Sequence, residues 1–163
     1  MHIIIKKRNL TYDDYKVKCA VGKRGIGAKK REGDLITPKG KYKILKIFYR
    51  ADRVTNLRSK ISQIKIKKNM GWCDDIKSRK YNREICFPSK YSAEKLHIKK
   101  KNYDILINIK YNYSPTLKGK GSAIFLHLTN QKYKPTKGCI AIQKKDILKI
   151  IPLITRKTKI LIK

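Results

Sequence analysis

Along this chain the hydrophobic residues recur mostly in alternation, the period of a β-strand, and only once at clear helical spacing. In "YDILINIKY", Tyr103, Ile105, Ile107, Ile109 and Tyr111 fall on one face, with Asp104, Asn108 and Lys110 on the other. That pattern predicts a half-buried strand. Ile64 and Ile66 alternate with lysines in the same way, and the opening "MHIIIKKRNL" reads as a short strand. "KYKILKIFY" and "SAIFLHL" are rich in branched and aromatic residues, which suit a pleated surface. Gly- and Pro-containing turns such as "GKRGIG", "EGDLITPKGKY" and "NYSPTLKGKG" punctuate these runs,.

In "KKDILKIIPLI", Ile147, Ile150, Ile151 and Ile154 follow the helical period,, and Pro152 must bend that helix or end it early. "TRKTKILIK" then reads as a turn and a closing strand. A second short helix is expected over "SAEKL", residues 92–96, with Ser92 as its cap,. The expectation is a mostly β protein, a sandwich or strongly curved sheet with one or two short helices. Nothing repeats and no linker breaks the composition, so residues 1–163 are expected to form a single domain,. A chain of this length buries about two-thirds of its unfolded surface, so folding needs no metal or disulfide staple.

Composition changes the picture in one respect. The 43 Lys and Arg against 11 Asp and Glu give a formal net charge of +32, which raises the prospect of nucleic-acid binding. The lysines are spread along the whole chain, among many Ile, Asn and Tyr. A genome biased towards A and T would produce that mixture without selection for a ligand. No zinc-finger spacing or RNA-binding aromatic signature accompanies the charge, so no specific nucleic-acid partner is expected. No stretch approaches the roughly 18–20 apolar residues of a membrane span. The N-terminal isoleucines are too few for the apolar core of a secretory signal, so either the usual export route is not used or the chain starts after its leader.

Candidate chemistry centres on "KPTKGCIAI", residues 134–142. The four cysteines, Cys19, Cys73, Cys86 and Cys139, are scattered and none forms a CxxC pair, so no metal site is expected. Cys19 and Cys86 sit among apolar neighbours and read as buried thiols. In "AIFLHL", strand alternation groups Ile124, Leu126 and Leu128 on one side and Ala123, Phe125 and His127 on the other,. His127 ends its row where a loop begins, and the chain reaches Cys139 twelve positions later. A return of that length can set the imidazole beside the sulfur. A neighbouring imidazole lowers a thiol's pKa and the thiolate attacks carbonyls. Backbone N–H groups around Gly138 and Cys139 offer an oxyanion hole. Taken alone, a cysteine in "GCIAI" is more often a packing residue and a lone histidine more often structural.

The surroundings add to this. The run from His127 to Ile142 resembles the active-site signature of the YkuD-type L,D-transpeptidases, with Thr136, Lys137, Gly138, Cys139 and Ile140 filling its Ser/Thr-x-Gly-Cys-hydrophobic segment. Thr37, Pro38 and Gly40 resemble the family's Thr-Pro-x-Gly stretch, and "GWCDDIKSRKYN" and "GKGSAIFLH" look like a compact bacterial branch. The likeness covers roughly residues 20–163. It departs at Lys137, where the family usually has histidine, and at Ala141, where arginine or asparagine is usual. It implies a YkuD-like fold and, without cofactor or metal, a cysteine acyltransferase that forms a thioester with a peptidoglycan stem peptide at an L-centre. The acyl group then passes to an amine of another stem, giving a 3–3 or 1–3 cross-link. The alternatives are an L,D-carboxypeptidase or amidase on the same scaffold, or a non-catalytic cationic binding module.

The resemblance further implies Cys139 as nucleophile, His127 as base and Gly138 at the oxyanion turn. Asp74 and Asp75 are candidates for binding substrate amines, with Tyr81, Asn82, Thr136 and Lys137 as further substrate contacts. Carbapenems are expected as covalent inhibitors, and the periplasm or cell envelope as the place of action. The sequence leaves oligomeric state and the group orienting His127 open.

Overall fold

The structure, a computed structural model, describes residues 2–163. The N-terminal third supplies a meander, β1 (Ile3–Lys6), β2 (Asn9–Tyr12) and β3 (Tyr15–Lys18), then the short β4 (Ile26–Gly27) and β5 (Thr37–Pro38), and the long β6 (Gly40–Tyr49). Next come β7 (Gln63–Lys65), β8 (Met70–Cys73), β9 (Glu84–Cys86) and β10 (Ala93–Lys95). The chain closes with β11 (Ile105–Ile109), β12 (Phe125–Leu128), β13 (Ile140–Ile142), helix α1 (Lys144–Ile150) and β14 (Lys159–Ile162). The main sheet runs β13-β12-β11-β6-β14-β1-β2-β3, with β7 added to β6. A second sheet, β10-β8-β9, has three strands. The protein is mostly β, as expected, with one short α-helix. No described helix is long and apolar enough to cross a membrane.

Two cores explain this layout. An isoleucine-rich core takes Ile3, Ile5, Ile105, Ile107, Leu126 and Ile140 from the main sheet, and α1 and the following turn close it with Ile147, Ile150, Ile151 and Ile154. The helix ends where the sequence predicts, because Pro152 lies in a 3₁₀ turn, Ile151–Leu153, and cannot continue an α-helical ladder,. An aromatic core fills the space under the second sheet, where Trp72 meets Phe48 and Phe125 edge-on.

β11 separates the two cores. Ile105, Ile107 and Ile109 face the first and Leu106 the second, so every residue of the strand is buried. The half-exposed strand read from its alternation is therefore corrected: the second sheet covers the face that carries the polar residues. The expected helix over residues 92–96 is also corrected. Ala93, Glu94 and Lys95 pair antiparallel with Cys73, Trp72 and Gly71, and Leu96 is buried in the aromatic core. Five residues make too little helix to stand alone, and the ladder to β8 decides. Cys19 is buried as expected, but Cys86 is exposed at the end of β9.

Candidate active site

β12 and β13 lie side by side in parallel, with His127 opposite Ala141 and Leu126 opposite Ile140. Cys139 immediately precedes β13, and the Phe125 N–H points at its Sγ over 3.4 Å. Residues facing each other on paired strands share one side of the sheet. Thiol and imidazole therefore rise on the same side, and both line a cleft of about 1290 Å³.

The turn that presents the thiol is held by two threonine hydroxyls. Thr136 Oγ1 accepts the Gly138 N–H at 3.1 Å and donates to the Cys139 carbonyl at 2.6 Å. Thr37 Oγ1, from β5, donates to the Gly138 carbonyl at 2.9 Å and accepts the Gly22 N–H at 2.8 Å. Gly138 is required on two counts: its φ is +139°, and a Cβ there would lie 3.0 Å from the Ile36 carbonyl,. Thus the Thr-Pro-x-Gly stretch buttresses the cysteine turn from about a hundred residues upstream in sequence. Thr136 thus engages the Gly138 N–H, and the turn leaves the Cys139 N–H as its neighbouring main-chain donor.

The electrostatics differ from the expectation of an imidazole-activated thiolate. Burial, aided by the Glu94 carboxylate, pushes the Cys139 thiol up to about 12, against smaller opposing effects of the Phe125 N–H and Lys29. The thiol donates to the Ala123 carbonyl at 3.0 Å, as a protonated sulfur does. Burial likewise lowers His127 to about 4, although its bond to Leu128 opposes the shift. Nδ1 lies 3.0 Å from the Leu128 carbonyl. A carbonyl only accepts, so Nδ1 carries the hydrogen and Nε2 is left with a free lone pair. The group orienting His127, which sequence leaves open, is therefore main chain. The Tyr103 ring packs edge-on against the imidazole, centroids 5.4 Å apart. The resting pair is neutral thiol and neutral imidazole.

Asn82 and Tyr81 support the site from behind. Asn82 is 2 % exposed. Its Oδ1 accepts from Trp72 Nε1–H at 2.9 Å and from the Ala123 N–H at 3.1 Å, while Nδ2 donates to the Tyr111 and Asn112 carbonyls. Ala123 has φ +53°, and this tether holds the conformation that turns its carbonyl towards Cys139. Tyr81 is equally buried, donates to Glu32 and accepts the Gly121 N–H at 3.0 Å. Asn82→Ala leaves the Trp72 and Ala123 donors without partners, at about 1–3 kcal/mol for each buried group. The expected outcome is a urea midpoint well below wild type together with slower Cys139 acylation, measured on the same sample.

Of the other candidates, Asp74, Thr136 and Lys137 line the cleft. Thr136 spends its hydroxyl on the turn, and Lys137 is exposed at the rim. Asp75 is not part of the cleft lining; its carboxylate accepts the Lys77 and Ser92 N–H groups and shapes a loop. Ala141 exchanges two backbone hydrogen bonds with Ala20 and is 1 % exposed. Tyr103 and Glu94 were missed. Tyr103 counts as a core residue in its alternation, and Glu94 belongs to the segment read as helix. The Tyr103 hydroxyl donates to Glu94, whose carboxyl is pushed up mainly by burial.

A curved, mostly β scaffold that presents a cysteine and a histidine from adjacent strands in one cleft has a counterpart among known proteins. Residues 2–162 match the model of the L,D-transpeptidase catalytic domain, YkuD, and the chain belongs to that family. The family sets its work in peptidoglycan at the cell wall. Among solved structures, the chain is similar to the helical cell shape determining protein Pgp2 from Campylobacter jejuni, at 17 % identity and TM-score 0.53, covering 99 % of this chain and 46 % of that one. A lysine-to-alanine variant of the same protein gives 17 % identity and TM-score 0.52, over 99 % and 46 %. Bd1075 from Bdellovibrio bacteriovorus follows at 14 % identity and TM-score 0.49, over 99 % and 47 %. The chain spans about half the length of these solved proteins. No curated protein matches it.

Proposed function

We propose that the chain is a cysteine L,D-transpeptidase that cross-links peptidoglycan stem peptides. The observation that carries this reading is the Nε2 lone pair of His127, fixed by the Leu128 carbonyl and set in the same cleft as the Cys139 thiol. Because neither group is charged at rest, the proton moves as the bond forms. Sγ leaves the Ala123 carbonyl, attacks the stem carbonyl at its L-centre and gives its proton to Nε2. The Cys139 N–H receives the developing oxyanion. The imidazolium then protonates the departing amine, leaving a thioester on Cys139. An amine of a second stem attacks the thioester, His127 takes its proton, and the cross-link is released with the thiol restored. This chemistry belongs in the periplasm or cell envelope, where stem peptides are found, and it makes carbapenems covalent inhibitors of Cys139.

Product analysis with purified stem-peptide fragments tests the reading. Cross-linked dimers are the expected product. Trimmed monomers alone would reassign the chain as a hydrolase on this scaffold, and neither product would end the enzymatic reading.

The net charge is expected to give non-specific binding to DNA or RNA only. Such binding should fall by about 10³-fold or more between roughly 50 and 200 mM salt, as counterion release requires. Acylation of Cys139 by a small neutral donor should change little, since short-range contacts are weakly screened. Titrating salt against both signals checks this, and sequence-selective binding that survives high salt without a thioester would favour the binding module.

A further inference from the structure

The imidazole of His127 is held by a single hydrogen bond, to the carbonyl of the next residue, Leu128. One bond fixes a point and leaves the plane of the ring free, because the terminal torsion of a histidine is broad and roughly two-fold. A second contact must set that plane if Nε2 is to stay turned to the cleft. The group packed on the imidazole is Tyr103, whose ring meets it edge-on at 73° with centroids 5.4 Å apart, a preferred arrangement for aromatic pairs. Tyr103 is 8 % exposed and belongs to the aromatic core with Trp72 and Phe125.

Tyr103 is itself held more firmly than packing requires. It ends a 3₁₀ turn, Lys101–Tyr103, and both sides of that turn are tied to the segment that follows β6. Arg50, 4 % exposed, forks onto the Asp52 carboxylate at 2.8 and 2.6 Å and donates to the Ile98 carbonyl at 2.9 Å. Its main-chain N–H donates to the Asp104 carbonyl at 2.9 Å. Arg53 donates to the Asp104 carboxylate at 2.9 Å and to the Lys99 carbonyl at 3.1 Å. At the far end of the side chain, the Tyr103 hydroxyl donates to Glu94 on β10. Bonds with one charged partner are about twice as strong as neutral ones. Two arginines and a glutamate, from distant parts of the chain, thus converge on one aromatic ring, although a phenylalanine would fill the core as well.

We propose that Tyr103 is a positioning residue for the reaction's base: anchored by Arg50 and Arg53 at the main chain and by Glu94 at the hydroxyl, its ring sets the plane of the His127 imidazole and keeps water from that face. The Nδ1 hydrogen then stays on Leu128, and Nε2 stays presented to the cleft that holds Cys139. The assignment deepens the transpeptidase reading and takes from it that His127 is the base; Tyr103 acts through His127. Titratable groups sharing the cleft on the elements around His127 include Cys139 before β13, Tyr103 and Lys101 in the 3₁₀ turn, Glu94 on β10, Lys132 in the loop and Lys144 at the start of α1. Burial is the largest influence on the proton affinity of the imidazole, opposed by the Leu128 bond, and the Tyr103 ring is part of that burial. Loosening the ring therefore shows in the tautomer and in the titration of His127, which a loss of packing elsewhere in the core does not produce.

The test reads the His127 ring by NMR of its nitrogens in the resting protein, without substrate or turnover. The chain has 3 histidines, and His127→Gln identifies the signal to follow. In the wild-type protein the expected result is one tautomer with the proton on Nδ1, an acid midpoint of about 4, and a nuclear Overhauser contact between the Tyr103 ring and the imidazole. Tyr103→Leu, which keeps an apolar side chain but no ring, should mix the two tautomers and raise the midpoint by about one pH unit or more, as loss of burial implies. Its Cys139 acylation should slow by about 10- to 100-fold in kcat with KM little changed, the signature of a misplaced catalytic group. Tyr103→Phe keeps the ring and its main-chain anchors, so it should retain the wild-type tautomer, midpoint and rate, while Glu94 loses its donor and the urea midpoint falls. A Tyr103→Leu protein that unfolds cooperatively and keeps the wild-type tautomer and midpoint would overturn the proposal, as would a Tyr103→Phe protein that behaves like Tyr103→Leu. A wild-type protein with mixed tautomers, or without the Overhauser contact, would overturn it too, and that arm needs no variant to fold. Every NMR signal here comes from resting protein, so its failure is distinct from a failure to form cross-linked products, which would leave the signals unchanged.

Discussion

Cys139→Ala is expected to reduce turnover by about 10⁶-fold, to background, because removing a covalent nucleophile eliminates the intermediate rather than weakening it. A carbapenem should leave one acyl adduct on the wild-type protein and none on the variant, read by intact mass. The loss should be catalytic and not structural, since the substitution removes a single sulfur atom from a small side chain. Cys19→Ala, Cys73→Ala and Cys86→Ala provide the contrast. Cys19 and Cys73 are buried and cost some stability when truncated, while Cys86 is exposed, and all three variants should keep most of the activity. Full activity in Cys139→Ala would end the proposed mechanism.

His127→Gln is expected to slow acylation by about 10² to 10⁴, the usual cost of losing a positioned general base. Glutamine can still donate to the Leu128 carbonyl but offers no base of comparable strength. The pH dependence follows from the direction of the shift. Burial lowers His127 from 6.5 to about 4, so the imidazole stays neutral and able to accept a proton at every pH above about 4. Wild-type acylation should lose this base only as pH falls through about 4. Stability changes over a related window. Below pH 6.5 the unfolded chain takes up a proton that the folded one refuses, so stability declines as pH falls from about 6.5 to 4 and then levels off for this group. The difference is at most about 3 kcal/mol. Urea unfolding of His127→Gln should lack that slope. An unaltered acylation rate in the variant would show that His127 is not the base.

Much of the fold is legible in residue pattern alone. Ile147, Ile150, Ile151 and Ile154 bury one helical face because their spacing permits no other grouping. Ile124, Leu126 and Leu128 separate from Phe125 for the same reason at strand period. Local pattern misled where a partner decided the outcome. Residues 92–96 have helical composition, but β8 offered unpaired backbone groups, and the ladder outweighs the propensity of so short a segment,. That single misreading hid Glu94, since in the strand its side chain turns to the cleft. Cys86 reads as buried from its neighbours yet ends an edge strand in solvent.

At the site, the sequence by itself determined which residue types stand at which places: a cysteine after glycine, a histidine ending an apolar strand, and a Thr-Pro-x-Gly stretch far upstream. Those are local properties, carried by order and period along the chain. Only the tertiary structure decided their chemistry. The same thiol is reactive or silent according to the dielectric around it, and here burial and Glu94 hold it protonated. The same imidazole is acid or base according to which carbonyl takes its Nδ1 hydrogen, and here that carbonyl belongs to Leu128. Tyr81 and Asn82 present groups suited to a substrate, but the fold turns both inward to hold loops. Proton affinity and hydrogen-bond partnership depend on distances through space, and those distances are set by strands that meet only when the whole sheet has formed.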